Sequence, residues 1–251
     1  MVRRSAPSGF EGIVRYAGLT DIGKKRSENQ DRIILCPEAG LFAVSDGMGG
    51  LPRGSFASDY VLKALPALVG SGFSGSEKEA EELLSASVCL MSDRLYEAMN
   101  SRSFVTGATL CGVYLAGKSA VCVNLGDSRA YLLKKRSRHL TQLTEDMNMA
   151  GLLVKLGEMT KEEAAGSPEA SVLNAFVGMM APALPEITRA DFEKGDRLLI
   201  CTDGLYSLVP EKDIIKIMRS SRSEERVCSR LIEKANEKGG RDNISAVILR
   251  I

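Results

Sequence analysis

Residues 108–135 read ATLCGVYLAGKSAVCVNLGDSRAYLLKK. Three apolar runs of strand length are separated only by Ala-Gly-Lys-Ser and Gly-Asp-Ser, which predicts an antiparallel meander with tight turns. Parallel strands would need a crossover of a dozen or more residues, and these linkers have no room for one. Working outward, GIVRYAGLT, DRIILCP and LFAVSD upstream read as short strands bounded by turn residues, as do residues 185–192, residues 197–201 and the final NISAVILRI downstream. Helical patterns lie between them. GSFASDYVLKALPALVG is one, with Pro66 expected to kink it or close it early. Residues 76–101 form a second, in which Leu84, Val88, Met91, Leu95 and Met99 make one apolar stripe behind a Ser76/Glu79 capping box. A more polar helical stretch covers residues 144–166, and two helices cover residues 210–219 and 223–238. Hairpins outnumber strand–helix–strand crossovers, which favours an antiparallel, layered α+β fold over a doubly wound sheet.

The chain has 251 residues, enough for one large domain, with 44% hydrophobic and 26% charged residues, as in an ordinary globular protein. The formal net charge of +1 gives no general attraction to nucleic acid or an anionic membrane. No apolar run approaches the roughly 20 residues that cross a bilayer. MVRRSAPSGFEG has two arginines but no apolar stretch after them, so no secretory signal is expected and residues 1–10 read as a flexible arm. The six cysteines lack C-x-x-C spacing and mostly sit in apolar segments, as buried, reduced thiols of a cytoplasmic protein do. With a single histidine, His139, a zinc site of nitrogen and sulfur ligands is nearly excluded.

Four aspartates stand at strand ends or just before a strand, each followed by Gly, Ser or Asn: Asp46, Asp127, Asp203 and Asp242. Taken singly, each has an ordinary reading as a turn residue or a helix N-cap. Their shared placement points instead to carboxylates converging above a sheet, where mutual repulsion calls for a cation and oxygen ligands suit Mg²⁺ or Mn²⁺. TDIGKKRSENQD adds Arg26, a planar fork for phosphate oxygens if not merely part of a solvated loop, and Asp31, a further carboxylate. The glycines of Gly47-Met48-Gly49-Gly50 fit neither a dinucleotide fingerprint, which would need glycine where Pro52 stands, nor a P-loop. They suit close approach of backbone to a ligand, and a carbonyl there is a possible oxygen ligand. The basic run Lys134–His139 has no interleaved aromatics and reads as a solvated hairpin tip.

In order, TDIGKKRSENQD, FAVSDGMGG, TGATL, NLGDSRAYLL, QLTED, GEMTKEEA, GDRLLICTDGL and GGRDNISAVIL resemble the metal-dependent Ser/Thr protein phosphatases of the type 2C family in their compact bacterial form, over residues 12–251. The resemblance implies one catalytic domain over residues 11–251, built as a four-layer α-β-β-α sandwich of two antiparallel sheets flanked by helices. It implies two Mn²⁺ or Mg²⁺ ions, with a hydroxide bridging them as the nucleophile. Asp46 would bridge the ions with the Gly47 carbonyl as a further ligand, and Asp203 and Asp242 would anchor the first ion. Asp31 would position water, Arg26 would grip the phosphate, and Asp127 with Asp203 would hold a weaker third ion. Residues 146–171 correspond to the family's mobile flap. The implied substrates are proteins phosphorylated by a Ser/Thr kinase, handled by a monomer with no nucleic-acid or membrane partner. Gln30, Met48, Ser55, Met147 and Ala175 depart from frequent family patterns, and no histidine is placed to protonate the leaving group. Two other functions compete with this one: a silent phosphoprotein-binding pseudophosphatase, and a phosphatase of a small phosphorylated metabolite.

Overall fold

The structure, a computed structural model, describes residues 3–5, 14–48, 54–70, 76–101, 106–180 and 182–251. The chain runs through β1 (Arg3–Ser5), β2 (Val14–Asp21), β3 (Asp31–Cys36), β4 (Leu41–Asp46), α1 (Gly54–Val69), α2 (Glu77–Asn100), β5 (Leu110–Ala116), β6 (Ser119–Leu125), β7 (Arg129–Leu133) and β8 (Thr141–Gln142). It continues through α3 (Met149–Lys155), α4 (Lys161–Ala164), a 3-10 turn (Pro168–Ser171), β9 (Glu186–Asp191), β10 (Arg197–Cys201), α5 (Asp203–Tyr206), α6 (Glu211–Arg219), α7 (Glu224–Glu237) and β11 (Ile244–Arg250). One sheet has the order β1-β2-β11-β10-β7-β8 and the other β3-β4-β5-β6-β9, and every pairing is antiparallel.

Side chains alternate across a strand, so a strand apolar on both faces must be covered on both. On β5, Leu110, Tyr114 and Ala116 pack with α1 and α2, while Cys111, Val113 and Leu115 point into the space between the sheets. On β10, Leu198 and Ile200 face the other sheet, while Leu199 and Cys201 pack against α6 and α7. Three apolar cores in succession therefore separate four layers, as expected. The stripe Leu84, Val88, Met91, Leu95 and Met99 of α2 is buried in the first core. Ser76 caps α2 reciprocally with Glu79. All six cysteines are free; Cys111, Cys122, Cys201 and Cys228 are buried, and Cys36 and Cys89 are half-buried. No described helix is long and apolar enough to cross a membrane.

Three expectations are corrected. β5 and β6 form the predicted hairpin, but β7 does not continue the meander; it crosses to the other sheet and pairs with β10 and β8. Gly126, at φ +128°, is the turning point. Pro66 does not close α1, which runs on to Val69. It lies in the last turn, and the buried Leu65 and Val69 on either side hold that turn against the core. Within the arm expected over residues 1–10, Arg3–Ser5 pairs with β2 as a strand. The remainder of that arm, together with Gly49 and Gly50, lies outside the described residues.

Candidate metal centre

Strand ends bring the aspartates together. Asp46 closes β4, Asp31 opens β3, and the antiparallel register sets them directly opposite each other. Side chains so placed share a face with Cβ atoms roughly 5 Å apart, and like charges there destabilise the pair. Asp203 follows β10 as the first residue of α5, with Thr202 rather than Asp203 as its N-cap. Asp242 precedes β11, and Asp127 sits where the chain crosses from β6 to β7. Asp46, Gly47, Asp127, Asp203, Asp242 and Arg26 line one cleft of about 410 Å³ at this end of the sandwich. Asp31 is fully buried beneath it.

Asp31 joins the two sheets. Its Oδ2 accepts hydrogen bonds from Thr202 Oγ1 at 2.9 Å and Ser245 Oγ at 2.7 Å, both on the opposite sheet's strand ends. Among the described residues its Oδ1 is buried without a hydrogen-bond partner, and so is Oδ1 of Asp203. Asp46 is held through its backbone: its N–H donates to Thr109 Oγ1 at 3.0 Å and its carbonyl accepts from Thr109 N–H at 2.8 Å. Gly47 is enclosed by backbone. A Cβ at this position would meet the Gly54 carbonyl oxygen at 2.4 Å and the Gln30 carbonyl oxygen at 3.0 Å, which only glycine avoids.

Arg26 donates to Asp242 Oδ2 at 2.6 Å, with both groups partly exposed. The other Asp242 oxygen accepts the Asn243 N–H at 2.8 Å. The Asn243 side chain ties the Arg26 loop down, accepting from Gln30 N–H and donating to the Ile22 and Glu28 carbonyls. Met48 lines the cleft, as do Ser171 at the far end of the expected flap and Leu173 just beyond it. His139 is exposed in the hairpin tip at the other end of β7, away from the cleft.

Burial raises the pKa of every buried aspartate here. Asp31 is pushed up to about 7, chiefly by burial, against the hydrogen bonds from Ser245 and Thr202. Asp203 is pushed up to about 6 by burial and then by the charge of Asp242. Asp127 is pushed up to about 8 by burial, with Asp203 and Asp146 adding to it and a hydrogen bond from Asn148 opposing. Asp46 lies well above the ordinary carboxylate range, through burial and then the charges of Asp31, Asp203, Asp127 and Asp242. Without a counter-cation these groups bind protons more readily than exposed carboxylates do.

Among the described residues no three Asp, Glu, His or Cys side chains are already gathered in a coordinating arrangement. Asp242 is turned onto Arg26, and Asp31 onto Thr202 and Ser245. The donor set nevertheless fits a hard divalent ion: carboxylates and a carbonyl, no nitrogen or sulfur, and two buried carboxylate oxygens without partners. Arg26, Asp46, Gly47, Asp127, Asp203 and Asp242 are thus brought to one cleft, with Asp31 behind it. Motif reading had not singled out Asn243, Thr202, Ser245, Thr109, Ser171 or Leu173. Thr202 and Ser245 stand inside apolar strand motifs, where a hydroxyl residue carries no separate signal.

A family model described as protein phosphatase 2C matches residues 23–240. The serine/threonine phosphatase stp of Listeria welshimeri is 32% identical, with 92% of this chain and 93% of that protein covered. The structure of the Streptococcus agalactiae serine/threonine phosphatase superposes with a TM-score of 0.85 at 30% identity, covering 95% of this chain and 99% of that one. The catalytic domain of serine/threonine protein phosphatase PstP, in complex with two manganese ions, superposes with a TM-score of 0.80 at 31% identity, covering 94% and 97%.

Proposed function

This chain belongs to the protein phosphatase 2C family, and from that premise we propose that it hydrolyses phosphoserine and phosphothreonine in proteins with the help of two divalent ions, Mn²⁺ or Mg²⁺. The observation that carries the proposal is the facing pair Asp31 and Asp46, with Asp203 near them: Asp46 and Asp203 line one cleft and Asp31 is buried beneath it, Asp31 and Asp203 each with a buried oxygen that has no hydrogen-bond partner among the described residues. A cation bound there stabilises the charged form of all three, which burial and mutual repulsion disfavour. Asp46, the Gly47 carbonyl, Asp203 and Asp242 would hold the two ions, and Asp127 with Asp203 a weaker third. Bound there, the ions supply charge neutralisation and water acidified far below its bulk pKa of about 15.7.

The chain's own groups do the rest. Asp31, steadied through one oxygen by Thr202 and Ser245, offers its free oxygen to orient a water and take its proton. Arg26 exchanges part of its pairing with Asp242 for the oxygens of the incoming phosphate, which it meets with a planar, charge-assisted fork. Ser171 and Leu173 border the entrance and meet the peptide around the phosphorylated residue. No histidine lines the cleft, so the leaving oxygen takes its proton from water. The reading extends to a single catalytic domain over residues 11–251, acting as a cytoplasmic monomer on the products of a Ser/Thr kinase. A net charge of +1 supports the absence of a nucleic-acid or membrane partner.

Turnover of p-nitrophenyl phosphate and of a phosphothreonine peptide, with Mn²⁺ and with chelator, tests the proposal. Hydrolysis of both, abolished by chelator, is the expected result. Hydrolysis of the small ester alone would favour a metabolite phosphatase, and no hydrolysis a binding module.

A further inference from the structure

Behind the Asp127 loop lies a polar assembly that none of the roles above uses. The Arg129 guanidinium makes a two-pronged pair with Asp146, Nε to Oδ1 at 2.7 Å and Nη2 to Oδ2 at 2.6 Å. Its Nη1 donates to Tyr131 Oη at 2.9 Å. Its flat face lies over the Tyr206 ring, 3.7 Å from the centroid. Tyr206 Oη in turn donates to the Asp127 carbonyl at 2.8 Å. Tyr206 belongs to α5, the same short helix that begins with Asp203. One guanidinium therefore links β7, the helix carrying Asp203, the Asp127 loop and the root of the flap.

The flap root is bound to that loop a second time. Met147 N–H donates to the Gly126 carbonyl at 2.9 Å, and Asn124 Nδ2 donates to the Glu145 carbonyl at 2.8 Å. Asn148, which caps α3, spans the flap by donating to the Ala170 carbonyl at 2.9 Å. A planar fork engaged on its edge by Asp146 and on its face by Tyr206 cannot be replaced by an ammonium without losing one contact or the other.

We propose that Arg129 and Tyr206 are positioning residues that hold Asp127 in its place opposite Asp203 and clamp the flap root to the same loop. The inference rests on the reading that Asp127 and Asp203 together hold a divalent ion. Arg129 and Tyr206 do not line the cleft; they act through the backbone of Asp127 and the carboxylate of Asp146. Tyr206→Phe keeps the stacked ring and deletes only the hydrogen bond to Asp127, whereas Arg129→Lys keeps the charge and deletes the fork.

The test is Mn²⁺ titration, by calorimetry and by the electron paramagnetic resonance of free Mn²⁺, on the parent, Tyr206→Phe, Arg129→Lys and Asp127→Asn. The expected result is that Asp127→Asn removes the weakest binding step. Each of the other two variants should weaken that step about tenfold, the scale on which groups behind metal ligands act, while the tighter steps stay within about twofold. If Asp127→Asn removes the step but both other variants bind as the parent does, the positioning role is overturned and the Asp127 reading stands. If the weakest step is absent from the parent, or survives Asp127→Asn, that reading falls and the positioning role falls with it. Hydrogen exchange of metal-free protein gives a second readout. Arg129→Lys should speed exchange of the amides of α3 about tenfold, on the scale of a locally opened segment, and leave those of β5 and β6 unchanged. A uniform rise along the whole chain would mean general destabilisation and would overturn the proposal.

Discussion

Two carboxylates directly opposite on neighbouring strands repel, and Asp31 and Asp46 are so placed by the β3–β4 register. Burial then removes the water that would screen them, which raises both pKa values in the metal-free protein. Such an arrangement weakens the fold by itself and is kept where a site needs it. Asp46→Asn should therefore have two opposite effects. Mn²⁺-dependent turnover falls to near background, while the chelator-treated variant melts higher than the parent at pH 8. Assays and melting curves on the same preparation measure both, and parental turnover would remove Asp46 from the site. Arg26 is half-exposed and, among the described residues, makes its ion pair with Asp242, so its loss leaves the buried carboxylates in place. Arg26→Ala should raise KM for a phosphothreonine peptide by about tenfold or more, as loss of a charge-assisted pair worth about 1.5–3 kcal/mol would, with a smaller change in kcat. An unchanged KM would count against the clamp. Asp46 was legible in the sequence because it stands before Gly at an abrupt end of an apolar run, and Arg26 and Asp31 because the polar stretch TDIGKKRSENQD sets them between two strands. Thr202, Ser245 and Tyr206 were not, since a hydroxyl inside a strand or short helix looks the same whether it holds a carboxylate or a backbone carbonyl.

At the scale of elements, the capping signal of α2 was legible locally, whereas that of Pro66 was overridden by the packing of Leu65 and Val69. The Ser76/Glu79 box starts α2, with Ser76 Oγ accepting the Glu79 N–H and the Glu79 carboxylate accepting the Ser76 N–H. Ser76→Ala should lower stability by about 1 kcal/mol, the usual worth of such a cap, with Tm falling by about 2–4 °C and turnover unchanged. Differential scanning calorimetry beside an activity assay checks it; lost turnover would mean that α2 reaches the cleft in a way its position does not suggest. Pairing between elements was less legible. The linker Gly126–Asp127–Ser128 has the length and composition of a hairpin turn, yet β7 pairs with β10, some 65 residues further along the chain. β7 finds β10 because Ala130 and Leu132 on one face enter the core between the sheets and Tyr131 and Leu133 on the other enter the core under α6 and α7. A two-faced apolar strand fits either sheet in the sequence, and only the packing of the whole chain decides. The crossing is also what lifts Asp127 out of an ordinary turn and sets it on the cleft beside Asp203.

At the scale of the whole molecule, the carboxylate end of the sandwich ties fold stability to metal and to pH. In the metal-free protein burial holds Asp203 at about 6, Asp31 at about 7 and Asp127 at about 8, with Asp46 also raised. In the unfolded chain an aspartate titrates near 4. Between those limits the folded state binds more protons than the unfolded one, so deprotonation favours unfolding. The contribution of these groups is complete below about pH 4 and is lost as pH rises through the folded values from 6 to 8. This is the reverse of the usual behaviour of a salt-bridged carboxylate, and it follows from burial and mutual repulsion, which outweigh any positive charge near these aspartates among the described residues. A divalent ion supplies the compensating charge and favours the deprotonated folded state, by an amount that grows with ion concentration over its Kd. Chelator-treated protein is therefore expected to melt at progressively lower temperature from pH 5.5 to pH 8.5, and excess Mn²⁺ to flatten or invert that slope. Calorimetric melting curves across the window, with and without Mn²⁺, measure it. Asp46→Asn should show a shallower slope in chelator than the parent, because one member of the coupled group no longer titrates. A metal-free melting temperature that stays level or rises with pH across this range would mean that the aspartates are not held apart from positive charge as their burial requires.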